Sequence, residues 1–465
     1  MKLLRFGPVS FYRAALSIAV PVMLQQFIMS MVSLIDNFMV AGLGDVSMAA
    51  VNVANQINFI HIVFINVIAG AGGIYLAQFM GAKDEEGMGQ AYRFKVLLGL
   101  VVSVFYFILC WTIPEAMLSM MTMGNAAQAE IVELGSTYLR LTSFTLLPMA
   151  ISNAIGSSFR EIGRPSVPLV ISAAATVVNT VGNWFLIYGN LGAPRLGVSG
   201  AAIATIIARF VEMVVFIIYV YWDKKRGKAP FFVRFSRILH VNWRLIREIM
   251  AKSSMMFLSD FSWISSETIM TALYNGRGGA EVVAGMAAAW TIANIFFLLW
   301  GGIFTTTAVL IGGSLGAGKL DEARTRAEWI KSGSTVAGFI IAIVGAGVST
   351  LLIPLVFSNL TASARSISLG LVYIILFYMP FWALLNSMWA ISRAGGDTAM
   401  GMYADVSVNT FLFVPACFIL ALCTSIHPVS MFAIVKLTDI AKYFIARHFL
   451  GKERWVRNLT VQKHG

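Results

Sequence analysis

Charged residues are scarce in this sequence of 465 residues. Asp, Glu, Lys and Arg together make up 12%, whereas a typical soluble domain contains about 25%. Apolar residues make up 58%, and the mean hydropathy is +0.78. Because so few charges cannot cover a water-exposed surface of this size, the composition excludes an ordinary soluble enzyme and predicts an integral membrane protein.

Cysteine is also rare. Cys110, Cys417 and Cys423 each lie in an apolar run, without the spacing of metal ligands or of a disulfide framework. We interpret them as small buried apolar side chains. The sequence therefore predicts neither a bound metal centre nor an organic cofactor.

Apolar segments of the roughly 20 residues that are needed to cross a bilayer recur along the whole chain. The predicted spans are 13–41, 50–80, 93–113, 135–160, 166–189, 197–222, 247–275, 281–316, 330–356, 365–393, 399–423 and 428–447. The first is too long for the core of a signal peptide, so we expect it to be retained in the protein. The pattern predicts an all-α fold with twelve transmembrane helices.

The distribution of basic residues predicts the orientation of these spans. Of the 34 Lys and Arg residues, 28 lie in the two termini, in the loops after even-numbered spans or in the span ends that adjoin them, whereas the opposite loops hold only Arg195, Arg277 and Arg365. The positive-inside rule then places both termini in the cytoplasm, with the protein in the plasma (inner) membrane. The net charge of +12 is thus a topology signal, and no nucleic-acid partner is expected.

The two halves of the chain resemble each other. QFMGAKDEEGMGQAYRFK (78–95) and GSLGAGKLDEARTRAEWIK (313–331) both follow a second span of a half, and a hydrophilic segment at 222–248 separates the halves. We predict an N-terminal six-helix lobe at 1–222, a cytoplasmic linker at 223–246, and a C-terminal six-helix lobe with a cytoplasmic tail at 247–465. Repeats with an even number of spans are related by pseudo-twofold symmetry along the membrane normal.

The second repeat also comes close to a phosphate-binding loop. Gly313, Gly318 and Lys319 match most of the pattern G-x-x-x-x-G-K-[ST], but Leu320 stands where Ser or Thr is required. The segment follows a membrane helix instead of a strand, which argues against a nucleotide site. ATP is therefore not expected to drive this protein directly.

Four stretches carry a resemblance to a known family. They are PVMLQQFIMSMVSLIDNFMVAGLG (21–44), FREIGRPSVPLVI (159–171), NWFLIYGNLGAPRLGVSGAAIAT (183–205) and SRAGGDT (392–398). In their order and spacing the chain resembles multidrug and toxic compound extrusion (MATE) transporters from end to end, with motifs closest to the DinF-type branch. The resemblance implies a cation-coupled exporter that works by alternating access, without covalent chemistry.

Polar side chains inside the spans are candidates for transport. Asp36 near the bilayer midplane would cost about 2.5–3.5 kcal/mol, which is rarely tolerated without a function. Helical periodicity places further polar side chains on common stripes. The predicted cavity lining is Gln25, Met29, Asn52, Asn55, Gln56, Asn153 and Thr176. Hydrogen bonding between helices is the alternative role for these stripes.

Depth in the membrane groups some of these residues. Asp36 lies six residues before Gly42, Asn183 six before Gly189 and Thr205 eight after Gly197, counted from the predicted outer face, which is the same level to within a few ångströms. The resemblance to the DinF-type branch implies a proton or sodium site at Asp36, Asn179 and Thr205. It also implies a carboxylate where this chain has Asn183, so this departure leaves the identity and number of coupling ions open.

The second half contains two further carboxylates, Asp260 and Glu267, on one face of the seventh span. A NorM-type sodium site resembles this in using a Glu of that span, but its partner Asp in the tenth span is missing here. Coupling or substrate binding and a structural role are both open for the pair. Arg209 with Glu212, and Lys436 with Asp439 and Lys442, are interpreted as pairs that neutralise each other. Asp405 is expected to extend toward the aqueous interface.

Together these features predict an H⁺- or Na⁺-coupled antiporter that exports organic, cationic or amphipathic compounds. A flippase for a lipid-linked precursor, from the same wider superfamily, is the alternative, and a passive channel fits the paired lobes and buried carboxylate less well. We expect one proton per cycle in the first lobe, with any sodium dependence arising from Asp260 and Glu267. The expected partners are small organic substrates and membrane lipid, and the protein is expected to be a monomer.

Overall fold

The fold is helical throughout the part of the chain that the computed structural model describes, residues 5–461 without 124 and 126. The helices are α1 Val9–Ala41, α2 Asp45–Gly81, α3 Glu85–Thr112, α4 Pro114–Met121, α5 Gln128–Ser143, α6 Leu146–Glu161, α7 Ser166–Tyr188, α8 Gly197–Lys225, α9 Trp243–Asn275, α10 Ala280–Gly316, α11 Leu320–Val356, α12 Ala362–Ala394, α13 Ala399–Cys423, α14 Pro428–Lys436 and α15 Asp439–Gly451. Every predicted span therefore coincides with one helix or with a consecutive pair.

Within the described residues, nine helices are long and apolar enough to cross a membrane. The fourth predicted span is divided between α5 and α6 at Phe144 and Thr145, and the twelfth between α14 and α15 at Leu437 and Thr438. The seventh, α9, is a single helix that carries six serines besides Asp260 and Glu267. Its lower hydropathy thus comes from side chains that need partners inside the protein.

The repeat seen in the sequence recurs in the backbone of the helix turns. Lys83 ends the turn after α2 with φ 56°, and Gly318 ends the turn after α10 with φ 74°. Gly163 after α6 and Gly396 after α12 have φ 78° and 76°. Gly318 therefore serves a left-handed turn at a helix end, which explains the near match to a phosphate-binding loop.

The chain divides into two compact units, Leu24–Ile249 and Met1–Met23 with Met250–Gly465. The division falls inside α1, just after Pro21. The start of α1 belongs to the unit that contains α11, because Phe11 packs edge-on against Trp329 at 5.0 Å between ring centroids, and the Tyr12 hydroxyl donates to the Trp329 carbonyl at 3.2 Å. The lobe boundaries predicted from the sequence remain a prediction.

Much of the segment predicted as a linker packs onto the first of these units. Phe231 is buried and lies between the rings of Tyr92 and Phe159, at centroid distances of 5.5 and 5.2 Å. Asp223 is also buried and forms an ion pair with Arg164. This segment is thus an ordered connection and not a flexible tether.

An ion pair lies in the interior of the same unit. Lys95 of α3 pairs with Glu161 of α6, and its ammonium also donates to Ser157 at 3.1 Å. Gly72 and Gly73 of α2 lie against these two side chains, where a Cβ on Gly73 would collide with the Glu161 carboxylate. The glycines therefore leave room for a compensated lysine inside the bundle.

Candidate ion and substrate site

The first unit, Leu24–Ile249, encloses a cavity of about 400 Å³. Its walls come from α1, α2, α5, α6, α7 and α8, and apolar side chains such as Val51 and Met149 alternate with polar ones. A cavity of this size falls within the range that holds small organic molecules. Asp36, on α1, lies in its wall.

The Asp36 carboxylate is held by amide donors. Asn183 Nδ2 donates to Asp36 Oδ1 at 2.7 Å. With its amide nitrogen facing the carboxylate, Asn179 donates to both oxygens at 3.1 and 2.9 Å and accepts from the Thr205 hydroxyl at 3.2 Å. The structure therefore brings together the four residues that the sequence singled out for ion coupling.

Helix geometry explains why these side chains lie close together. Asn179 and Asn183 are four residues apart on α7, so both amides project from one face. Thr205 lies on α8, which packs closely along α7; Gly182 permits this approach because its position faces Ala204 at 3.0 Å. The Asn183 side-chain oxygen is buried without a hydrogen-bond partner among the described residues. A proton on Asp36 or a hard cation is the kind of group that this oxygen can bind.

A second polar cluster lies further along the same helices. Glu212 is buried, and its carboxylate accepts from Arg209 at 2.8 Å and from the Ser172 hydroxyl at 2.7 Å. Gln25 Nε2 donates to Ser172 Oγ at 3.0 Å, and Gln25 Oε1 accepts from Arg160 at 3.4 Å. These contacts tie α1 to α7 and α8 a second time, eleven residues before Asp36.

The residues predicted to line the cavity are placed as follows. Met29, Asn55 and Thr176 line it. Gln25 reaches its wall through Ser172. Asn153 instead donates to Asn66 at 3.2 Å, and Asn52 and Gln56 are not part of the wall.

Sequence reasoning missed Asn58, His61 and Tyr138, which also line the cavity. Asn58 donates to Thr142 at 3.2 Å, and the His61 Nε2 atom lies 2.8 Å from the Ser103 hydroxyl. Asn55, Asn58 and His61 follow each other at intervals of three on α2, so a stripe of that period was the available signal. Tyr138 left no such signal, because a lone aromatic residue in an apolar span is usually packing.

The carboxylates of α9 are paired in the second unit. Asp260 accepts from Arg393 of α12 at 2.9 Å, and Glu267 forms an ion pair with Lys436 of α14. Lys436 also lies 4.9 Å from the centre of the Phe413 ring. In this state both carboxylates are neutralised by cations of the same unit.

A buried cluster surrounds Asp405 on α13. Lys442 lies 3.5 Å from Asp405 and 3.2 Å from Asp439, and the indole N–H groups of Trp389 and Trp382 donate to Asp405 at 3.1 Å and to Asp439 at 2.9 Å, respectively. The expectation that Asp405 extends toward the interface was therefore wrong, because Lys442 compensates its charge inside the protein.

The family of the chain follows from comparison with known proteins. The family model described as MatE matches residues 21–185 and 256–441. The probable multidrug resistance protein NorM of Neisseria meningitidis strain Z2491 is 24% identical over 71% of this chain and 70% of that protein, and its namesake in Halalkalibacterium halodurans is 24% identical over 82% and 81%. The chain belongs to the MatE family of multi-pass membrane transporters.

Solved structures share the fold. A MATE family transporter in an outward-facing conformation superposes with a TM-score of 0.79 at 20% identity, over 94% of this chain and 96% of that one. The eukaryotic MATE transporter AtDTX14 gives 0.79 at 16% identity, over 96% and 98%. The predicted architecture of twelve transmembrane helices in two six-helix lobes is thereby confirmed, whereas the DinF-type branch stays a prediction.

Proposed function

We propose that the protein is a cation-coupled antiporter that exports organic cations or amphipathic compounds by alternating access. The observation that carries this proposal is the single carboxylate of Asp36 in a cavity of about 400 Å³, among amide and hydroxyl groups. Asp36 is half-buried, and a carboxylate in a membrane span is costly unless it binds something. Here it is placed where a small molecule and a coupling ion would both reach it.

Coupling follows from competition at Asp36. Ionised Asp36 attracts a cationic substrate into a cavity whose other charged group, Arg209, is paired with Glu212. A proton on Asp36 removes this attraction, so the substrate binds one protonation state better than the other. Such a difference in affinity is what links the movement of an ion to the movement of a substrate.

The count of carboxylates supports the proton as the coupling ion of this unit. Asp36 supplies one negative charge, and Asn179, Asn183 and Thr205 add no further charge; their side-chain oxygens are neutral, and the two amides face Asp36 with their N–H groups. Sodium accepts such oxygens, but protonation removes the buried charge altogether. We propose one proton per cycle here, with any sodium dependence arising from Asp260 and Glu267.

Transport by Asp36→Asn tests the proposal. The variant should reach the membrane at normal abundance, because Asn can still hydrogen bond with Asn183, yet it should lose gradient-driven export. The measurement is uptake of a fluorescent organic cation into inverted vesicles under an imposed pH gradient. Normal transport by this variant would refute the role of Asp36, and transport driven only by sodium would refute the choice of proton.

The alternative of a lipid-linked precursor flippase is less well supported. A pyrophosphate group calls for unpaired basic side chains, and the one arginine in the cavity wall is bound to Glu212. A Pyrococcus furiosus MOP superfamily transporter of the same fold, with a TM-score of 0.77 at 18% identity over 95% of each chain, is described as having a binding pocket of reverse polarity that suggests a different function.

We propose a monomer in the plasma membrane with both termini cytoplasmic.

A further inference from the structure

Arg209 lies in the wall of the same cavity as Asp36. It follows Thr205, which hydrogen bonds with Asn179 at the Asp36 site, by four residues, and so lies one turn along the same face of α8. It is close enough to Asp36 to interact with it electrostatically. An arginine side chain is long enough to span about one helical turn, so this cation lies beside the site proposed for a cationic substrate.

Glu212 determines where the Arg209 guanidinium points. It lies three residues further along α8, is 4% exposed, and accepts from Arg209 at 2.8 Å. The other carboxylate oxygen is occupied by Ser172, which Gln25 holds in turn. The carboxylate is thus fixed by helices α1 and α7, and its position is independent of Asp36.

We propose that Arg209 competes with a cationic substrate for Asp36. Glu212 pairs with Arg209, keeps it from binding Asp36, and thereby sets the cation specificity of the cavity. This inference rests on the proposed function. With Glu212 intact, the pair has no net charge, and Asp36 alone decides whether a cation binds. Without Glu212, Arg209 is free to neutralise Asp36; without Arg209, Glu212 adds a second negative charge.

The other titratable and charged groups that face this region are the same in every variant that is compared. His61 of α2 and Tyr138 of α5 line the cavity, and Arg160 of α6 contacts Gln25. None of them changes in the variants proposed below, so a difference between variants reports on Arg209 and Glu212.

The experiment is equilibrium binding of tetraphenylphosphonium to the purified full-length protein in nanodiscs at pH 7.5. Arg209→Gln should bind this cation about tenfold more tightly than wild type, and Glu212→Gln about tenfold more weakly, as expected for the loss of one unit charge near the ligand in a partly aqueous protein site. The double variant should return to within about twofold of wild type. Arg209→Lys, which keeps the charge, should also stay near wild type.

Matched controls come from an exposed ion pair of the same unit, Arg140 with Glu115 at 2.6 Å. Arg140→Gln and Glu115→Gln change the net charge identically and should leave affinity unchanged. Shifts of the two cavity variants in the same direction, or no return in the double variant, would overturn the inference and indicate a structural pair. If wild type binds no more tightly than Asp36→Asn, the proposed function itself fails. If one of the single variants does not fold, the affinities of the double variant and of Arg209→Lys test the inference.

Discussion

Asn183 donates a hydrogen bond to Asp36 from a position where the resemblance implies a second carboxylate. Its amide stabilises the ionised form of Asp36 without adding charge. The buried, unpaired oxygen of the same amide leaves room for one more donor or cation. One side chain thus restricts how many positive charges the cavity can hold.

Asn183→Asp tests this restriction. Two carboxylates at hydrogen-bonding distance cannot both stay ionised without a cation between them, so we expect the variant to acquire sodium-stimulated transport or to bind sodium measurably. Isothermal titration with Na⁺ at constant ionic strength is the measurement. Asn190→Asp, which makes the same change at an exposed amide, should have no effect. Sodium binding that is equal in both variants would contradict the assignment.

Substitution of Gly73 tests how tightly the buried Lys95–Glu161 pair is packed. A methyl group there would meet the Glu161 carboxylate, so Gly73→Ala should lower the free energy of unfolding by about 1–3 kcal/mol, as overpacking of an interior does. Thermal unfolding in detergent measures this. Gly347→Ala is the control, because Gly347 lies in α11 with nothing within 4 Å of an added Cβ, and it should not be destabilised. Equal stability of the two variants would show that the pair can move aside.

Among the helices, α1 combines three features in one element. Pro21 lacks an N–H donor and crowds the carbonyl one turn earlier, which weakens the helix there. Gln25 and Asp36 then attach the following part to α7, and the compact units divide between Met23 and Leu24. The helix is therefore weakest at Pro21, just before these two attachments.

Pro21→Ala should restore the missing hydrogen bond and stiffen α1. We expect the variant to bind tetraphenylphosphonium as wild type does, because Asp36 and its partners are unchanged, but to transport it several-fold more slowly. Binding in nanodiscs and transport in proteoliposomes are measured on the same preparation. Pro354→Ala in α11, an exposed helical proline, serves as control and should retain transport. An unchanged transport rate for Pro21→Ala would remove flexibility at this proline from the mechanism.

Helix positions were predictable because long apolar runs leave little choice of structure in a bilayer. The break at Leu437 was not, since no proline or glycine marks it and tertiary packing determines it. The break at Phe144 had one unused signal in the sequence, Pro148, which cannot donate to the Phe144 carbonyl four residues earlier. Asp36, Asn183 and Thr205 were grouped through their depth, and Asn179 was added through the family resemblance. The pairings of Glu267 with Lys436 and of Asp405 with Lys442 were missed, because partners on distant helices have no fixed spacing in the sequence.

At the scale of the whole molecule, the repeated turns after α2 and α10 and after α6 and α12 show that the two halves share a helix plan. Both halves also bury ion pairs, and the first places a carboxylate beside amide donors in a cavity, whereas the described carboxylates of α9 pair with Arg393 and Lys436. The two halves therefore have a common architecture and different polar interiors.

The predicted topology can be checked by labelling single cysteines. Cys110 and Cys417 are buried, so replacement of the exposed Cys423 leaves no accessible native cysteine to react with the label. A cysteine at Lys225, at the end of α8, should react with a membrane-impermeant maleimide only in inverted vesicles. A cysteine at Asn190, in the opposite turn, should react in intact cells. Reaction of the Lys225 position from outside would overturn the orientation.

The Lys95–Glu161 pair also constrains how the protein is made. Lys95 and its partner are separated by 66 residues and by the whole of α5, so α3 leaves the ribosome with a lysine whose carboxylate has not yet been synthesised. An uncompensated lysine in a span is costly to insert. α3 should therefore remain beside the insertion machinery until α6 arrives, and the helices between them should enter the bilayer as one group.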